Sequence, residues 1–258
     1  MFMSNLLQHK TILVTRAEGQ AESFAKKISA YGGVPIITPL INITCQNSKG
    51  KNSTIKKIKE ADWLFFTSAN GVRCFFARLN ELAIPIELLK QKRFAVVGSK
   101  TKRTLQQFEI PIHFLPTKYD AATMASEFIQ RIPNNENILL IRGTLSRQLL
   151  QNQLRKNGYN VQTLTVYKTA TNESVKSKLT DSIQKGIDFI TFTSPSTVDA
   201  FVNLIDEPIS DDVVYVCIGT TTEKHASKKG LKPILTPEKF TIEEMIKEIG
   251  KYIEKRGR

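Results

Sequence analysis

At 258 residues and a net charge of +13, the chain is long enough for two small domains and carries a surplus that attracts polyanions. Its 41% apolar content suffices for two cores, yet no apolar run approaches the roughly 18 residues of a membrane helix, and the start "MFMSNLLQHK" lacks the apolar stretch of a secretory leader, so a cytoplasmic protein without a membrane partner is expected. Cys45, Cys74 and Cys217 are widely spaced and form no CxxC, which predicts reduced, packed thiols, and His9, His113 and His225 lie too far apart for a metal site.

In chain order, "TILVT" reads as a buried strand. A helix follows with Ala21, Phe24, Ala25 and Ile28 on one face and Gly32-Gly33 as its stop. "VPIITPLINIT" is extended, because Pro35 and Pro39 exclude a helix, and "NSKGKNSTIKK" is a polar loop before a short basic helix. "WLFFTS" is a strand, and Asn70 opens a helix with Val72, Phe75, Phe76 and Leu79 inward. "RFAVVG" is a strand followed by a helix over 101–108; "IHFLP" is a strand followed by a helix over 121–132, with Met124, Phe128 and Ile129 aligned. "NILLIRG" and "VQTLTVYKT" bracket a helix over 145–156. The last third reads strand "DFITFTS", helix 197–205, strand "VVYVCIG", helix 221–229, strand "KPILTP" and helix 242–255. Continuous apolar strands alternating with amphipathic helices predict the α/β class, with parallel sheets covered on both faces in two similar flavodoxin-like domains.

The two halves repeat each other. "TILVTRAEGQAESFAKKISAYGGVPIITPLINI" matches "NILLIRGTLSRQLLQNQLRKNGYNVQTLTVYKT", with Ile12 against Ile138 and Arg16 against Arg142, 126 positions apart both times. "DWLFFTSANGVRCFFARL" from Asp62 pairs with "DFITFTSPSTVDAFVNLI" from Asp188 at the same spacing. "VVGSKTKRTL" around Gly98 matches "CIGTTTEKHA" around Gly219 at a slightly shorter offset. The joins near 36–43 and 164–169 are extended and contain no Gly/Ser tether. The periodicity leaves two arrangements open: two consecutive domains, or a first strand–helix unit that joins the last third around an inserted middle.

Four turns follow a strand and open a helix: Thr67-Ser68-Ala69-Asn70, Gly98-Ser99-Lys100-Thr101, Thr193-Ser194-Pro195-Ser196 and Gly219-Thr220-Thr221-Thr222. One such turn is ordinary capping. Four at matched places predict an anion-lined cleft, because free N–H groups and the helix dipole both favour carboxylate or phosphate. Ser99, Arg142 and Gly143 complete the binding candidates at strand ends. The chain holds no GxGxxG, no GxxxxGK[ST] and no GxSxG, and few carboxylates end its strands. The chemistry is therefore expected to need positioning and one proton donor rather than a metal, nucleotide or other cofactor, and Tyr167 in "TVYKT" is the candidate donor.

These segments resemble the uroporphyrinogen-III synthase family. "ILVTRAEGQAESFAKKISAYGG", "DWLFFTSANGVRCFF", "VVGSKT", "LPTKYDAATMA", "LTVYKTA", "FTSPSTVDAF" and "IGTTTEKHASKKG" occur in the family's order over about 10–249. The resemblance implies two similar domains joined by a two-strand ladder, with domain one spanning 1–38 and 170–258 and domain two, 39–169, inserted. It implies a cofactor-free reaction in which hydroxymethylbilane, a linear tetrapyrrole with eight carboxylates, loses water and closes with inversion of its last ring. Carried over, the family's active-site tyrosine falls on Tyr167 and its threonines on Thr101, Thr221 and Thr222. Its two strand-end turns fall on Ser68, Ala69, Asn70 and Gly71, and on Ser194 to Ser196. Ala17 and Thr220 stand where many members have proline, which alters local turns. A monomer that binds an anionic tetrapyrrole and no nucleic acid is expected. The rival readings are a non-catalytic two-domain sensor of an anionic metabolite, and a nucleic-acid binder, against which stands the lack of a basic, aromatic stripe.

Overall fold

The computed structural model describes residues 5–46, 50–146 and 148–256; residues 47–49 of the expected polar loop lie outside them. In order the elements are β1 (Thr11–Val14), α1 (Glu18–Ala30), β2 (Val34–Ile37), β3 (Ile41–Cys45), α2 (Lys51–Glu60), β4 (Trp63–Phe66), α3 (Ala69–Glu81), β5 (Arg93–Val96), α4 (Ser99–Gln106) and α5 (Ala121–Arg131). There follow β6 (Asn137–Gly143), α6 (Leu149–Lys156), β7 (Asn160–Thr171), α7 (Lys176–Gln184), β8 (Phe189–Phe192), α8 (Pro195–Leu204), β9 (Val214–Cys217), α9 (Thr220–Lys228), β10 (Ile234–Leu235) and α10 (Ile242–Arg256). The class is α/β. The chain divides into two compact units, Met1–Asn42 with Ala170–Arg258, and Ile43–Thr169.

In the first unit the strand order is β10-β9-β8-β1-β2, and every pairing is parallel. Ile12, Leu13, Val14, Phe189, Ile190 and Phe192 are buried, as a sheet covered on both faces requires. Ala21, Phe24 and Ile28 of α1 and Met245, Ile246 and Ile249 of α10 pack in one cluster with Ile12, Val14 and Val216. Asp188 fixes the strand start: its carboxylate accepts the Thr11 N–H at 2.7 Å and pairs with Lys10 at 2.9 Å.

The second sheet runs β3-β7-β6-β4-β5. Here β4 pairs in parallel with β5 and β6, and β6 with β7. β3 departs from the all-parallel expectation. The Gln46 N–H meets the Val166 carbonyl while the Asn172 N–H meets that of Leu40, so β3 and β7 run in opposite directions. Alternation along β4 separates two cores. Leu64 and Phe66 face Val72, Phe75 and Leu79 of α3, while Trp63 and Phe65 face Met124 and Phe128 of α5. Asp62 repeats the role of Asp188, accepting the Asn137 N–H at 2.7 Å.

Three further expectations need correction. "IHFLP" forms no strand: Phe114 makes one isolated bridge to Ala95, because Pro111 and Pro116 on either side lack an N–H to extend a ladder. α7 has no counterpart among the elements expected from sequence; it is a short, polar helix with Leu179 and Ser182 as its buried residues. The thiols are not all reduced. Cys45 at the end of β3 and Cys74 on the buried face of α3 form a disulfide with Cα atoms 5.1 Å apart. Sequence spacing could not show this, since it depends on how α3 lies on its sheet. Cys217 remains a free thiol in β9, and burial pushes its pKa up to about 12. No described helix is long and apolar enough to cross a membrane.

Candidate active site

The candidate residues of the second unit gather at the carboxyl end of its sheet, where β6 lies between β7 and β4. Ser68 follows β4 with extended backbone and caps α3, its Oγ accepting the Gly71 N–H at 3.0 Å. The same Oγ lies 3.1 Å from the Tyr167 phenol oxygen, a contact between residues 99 positions apart in sequence. Tyr167 is 9% exposed. Its ring is brought there by an irregularity between β6 and β7. Arg142 stands opposite Thr165, but Gly143 stands opposite Tyr167, so one extra residue on β7 re-aims the side chain.

Gly143 is the floor beneath that ring. A Cβ built there would sit 2.3 Å from one ring carbon of Tyr167 and 2.4 Å from another. A hydrogen is all the position admits. Beyond it the chain turns: the Ser146 hydroxyl accepts the Gly143 N–H at 2.9 Å, and the Thr144 N–H returns to the Tyr167 carbonyl at 3.0 Å. Arg142 lies half-buried beside this turn, its Nη1 donating to Gln151 Oε1 at 3.0 Å and its Nη2 to the Ser146 carbonyl. Ala69 and Gly71 are buried, and Asn70 accepts from Arg73 at 3.3 Å.

Ser99 and Thr101 sit one strand over, in the first turn of α4 after β5, with Thr101 buried. They are therefore not brought into contact with the tyrosine. In the first unit Ser194 caps α8 through a capping box with Thr197, and its Oγ lies 2.9 Å from that of Ser196. Thr221 and Thr222 open α9; Thr222 is buried and Thr221 exposed. Among the described residues no cluster of His, Cys, Asp or Glu could hold a metal ion.

Two features at strand ends were not singled out from sequence. The Ser68–Tyr167 contact depends on the bulge, which no pattern marks. Arg16, at the position matching Arg142, was visible only as an aligned residue.

The sequence matches the family described as uroporphyrinogen-III synthase HemD over residues 22–247. The chain belongs to that family. The porphyrin biosynthesis protein HemD of Ruminiclostridium josui is 30% identical over 251 residues, covering 96% of this chain and 49% of that protein, so this chain spans about half its length. The uroporphyrinogen-III synthase of Chlorobaculum parvum is 32% identical over 236 residues, 90% of this chain and 94% of that protein. Among solved structures, a uroporphyrinogen III synthase of Thermus thermophilus superposes with a TM-score of 0.67 at 17% identity, covering 96% of this chain and 99% of that one. The Helicobacter pylori enzyme gives 0.63 at 17%, covering 97% and 100%. At that identity the likeness speaks for the shared α/β, parallel-rich fold.

Proposed function

We propose that this protein is a uroporphyrinogen-III synthase that closes hydroxymethylbilane to uroporphyrinogen III, with loss of water and inversion of the last ring, using no metal or cofactor. The observation that carries the proposal is the family match over 22–247, joined to a tyrosine hydrogen-bonded at a strand-end helix cap. The strand order of the first unit, 2-1-3-4-5 when its strands are renumbered along the chain, supports a flavodoxin-like domain. With its two chain segments, that unit is the discontinuous domain of the proposal and the second unit the inserted one.

Tyr167 is the proposed proton donor. Ser68 Oγ already accepts from the Gly71 N–H, and its own hydrogen can go to the phenol oxygen. In that orientation the phenol proton is left for the hydroxyl that departs from the substrate as water. The carbocation so formed is attacked within the same chain, through a spiro intermediate, and the ring system then reopens and closes inverted. The substrate carboxylates are taken by the turns at Ser68–Gly71, Ser99–Thr101, Arg142–Gly143, Ser194–Ser196 and Thr221–Thr222. Positioning is the larger task, since misplacement by about an ångström can cost on the order of 100-fold.

The proposal includes a monomer acting on an anionic small molecule, with neither nucleic acid nor membrane as partner, in the cytoplasm. The Cys45–Cys74 bond pulls against that location, because disulfides persist in oxidising compartments. Cell fractionation with thiol labelling decides it. For the activity, hydroxymethylbilane is incubated with the protein in the presence of a chelator, and the isomers are separated. The type III isomer is expected; type I alone, as without enzyme, overturns the proposal.

A further inference from the structure

In the first unit β1 lies between β2 and β8, and the winding of the sheet reverses beside the carboxyl end of β1. Open α/β sheets take their ligands at that place. Arg16 stands there, two residues beyond the last residue of β1. Its Nη2 donates to Gln20 Oε1 at 2.7 Å, while its Nε–H is shut off from solvent with no acceptor. Partial burial lowers its pKa, and no carboxylate offsets that among the described residues. A guanidinium drawn out of water without a counter-charge is costly, and such groups are ordinarily paired.

A second buried donor stands at the same end of the sheet. Thr38 follows β2 directly, its N–H bonded to the Val14 carbonyl at 3.0 Å; the residue is fully buried and its Oγ1 has no partner. On the other flank β8 ends in the Ser194–Ser196 turn. The second unit repeats the pattern. Arg142, 126 positions on, is likewise held by a glutamine, Gln151, and by carbonyl groups, with no carboxylate against it among the described residues.

We propose that Arg16 is a substrate-binding residue that takes a carboxylate of the tetrapyrrole through its half-buried guanidinium, with the Thr38 hydroxyl as a second donor. This rests on the function proposed above for the choice of ligand; the recognition itself needs only an alkyl carboxylate. Planar guanidinium donors match a carboxylate edge to edge, which an ammonium cannot do.

The test compares wild type, Arg16→Gln, and Arg131→Gln, which removes an equal charge from an exposed site paired with Glu127. Steady-state kinetics with hydroxymethylbilane are combined with binding of uroporphyrinogen III, kept reduced, followed by thermal shift. Arg16→Gln is expected to raise KM and the product Kd by roughly tenfold or more, the scale of one charged hydrogen bond, with kcat within about threefold. Its unliganded Tm should equal or exceed that of wild type, because an uncompensated charge has gone, and Arg131→Gln should leave KM and Kd unchanged. Values of KM and Kd within twofold of wild type overturn the proposal, as does an unliganded Tm that falls in step with binding. Arg16→Lys keeps the charge should the glutamine variant not fold, and is expected to lose affinity in the same sense; unchanged KM and Kd there also overturn the proposal. A wild-type protein that makes only the type I isomer defeats the proposed function, and the Arg16 assignment is then decided by the binding measurement alone.

Discussion

The two units carry the same strand-end skeleton and equip it differently. In the second, Ser68 reaches a phenol; in the first, its counterpart Ser194 turns to Ser196, and the residue 126 positions before Tyr167 is Ile41, on β3 of the second sheet. Both keep an arginine held by a glutamine, Arg16 and Arg142. Both units thus keep groups suited to binding anions, and the phenol hydrogen-bonded to a capping serine stands in the second. The reaction proposed above, with many substrate carboxylates and one departing hydroxyl, asks for that division.

The sharpest way to break this comparison is to remove the phenol. Tyr167→Phe should lower kcat roughly 10²- to 10⁴-fold if it is the sole donor, with product affinity within a few-fold and Tm nearly unchanged, as measured by single-turnover kinetics and thermal unfolding. A variant with full turnover would make the two units functional equals.

A second difference is covalent. The disulfide joins residues 29 apart in the second unit, whereas the position matching Cys74 in the first is the buried Ala200. Cys74→Ala should cost about 3 kcal/mol in denaturant unfolding, chiefly through a freer unfolded chain. An unchanged midpoint would show the bond open in the native protein.

The glycine floor is next in size. Gly143→Ala should lower turnover on the order of tenfold to a hundredfold by lifting the Tyr167 ring from its seat, while Tyr167→Phe with Gly143→Ala should be no worse than Tyr167→Phe alone. Additive losses would mean that the glycine acts independently of the ring.

The smallest effect concerns an electrostatic tie in the first unit. Asp199 stands where the second unit has Arg73. Burial works to raise its pKa, but hydrogen bonds from His225 and Lys229 outweigh that and hold it below the usual carboxylate value. A depressed folded-state pKa stabilises above the unfolded value, about 4, and the contribution is lost as pH falls through the folded value. Asp199→Asn should therefore cost under about 1 kcal/mol at pH 7, since all three groups are solvent-screened, and progressively less as pH falls through the folded value. A pH-independent cost would assign Asp199 a packing role instead.

Much of the fold was legible because it rests on local patterns. The strand "WLFFTS" and the inward stripe Val72, Phe75, Phe76 and Leu79 follow from periodicity alone. α7 escaped because a short helix rich in Lys, Ser and Thr shows almost no apolar stripe. The strand around Phe114 was over-read because an apolar run between prolines can pair at one point only. In the site, Tyr167 and the capping turns were legible as residue types at strand ends. Their contacts were not: the bulge opposite Gly143, the Cys45–Cys74 bond and the unanswered Arg16 Nε–H exist only after distant segments have packed.

The most direct test of the central claim is isomer analysis of wild type and Tyr167→Phe side by side, with hydroxymethylbilane and a chelator present throughout. Wild type should give predominantly the type III isomer. Tyr167→Phe should give mostly the spontaneous type I isomer, with a slowly formed remainder of type III. Type I alone from wild type would contradict the activity, and identical type III yields and rates from both proteins would contradict the assignment of the phenol.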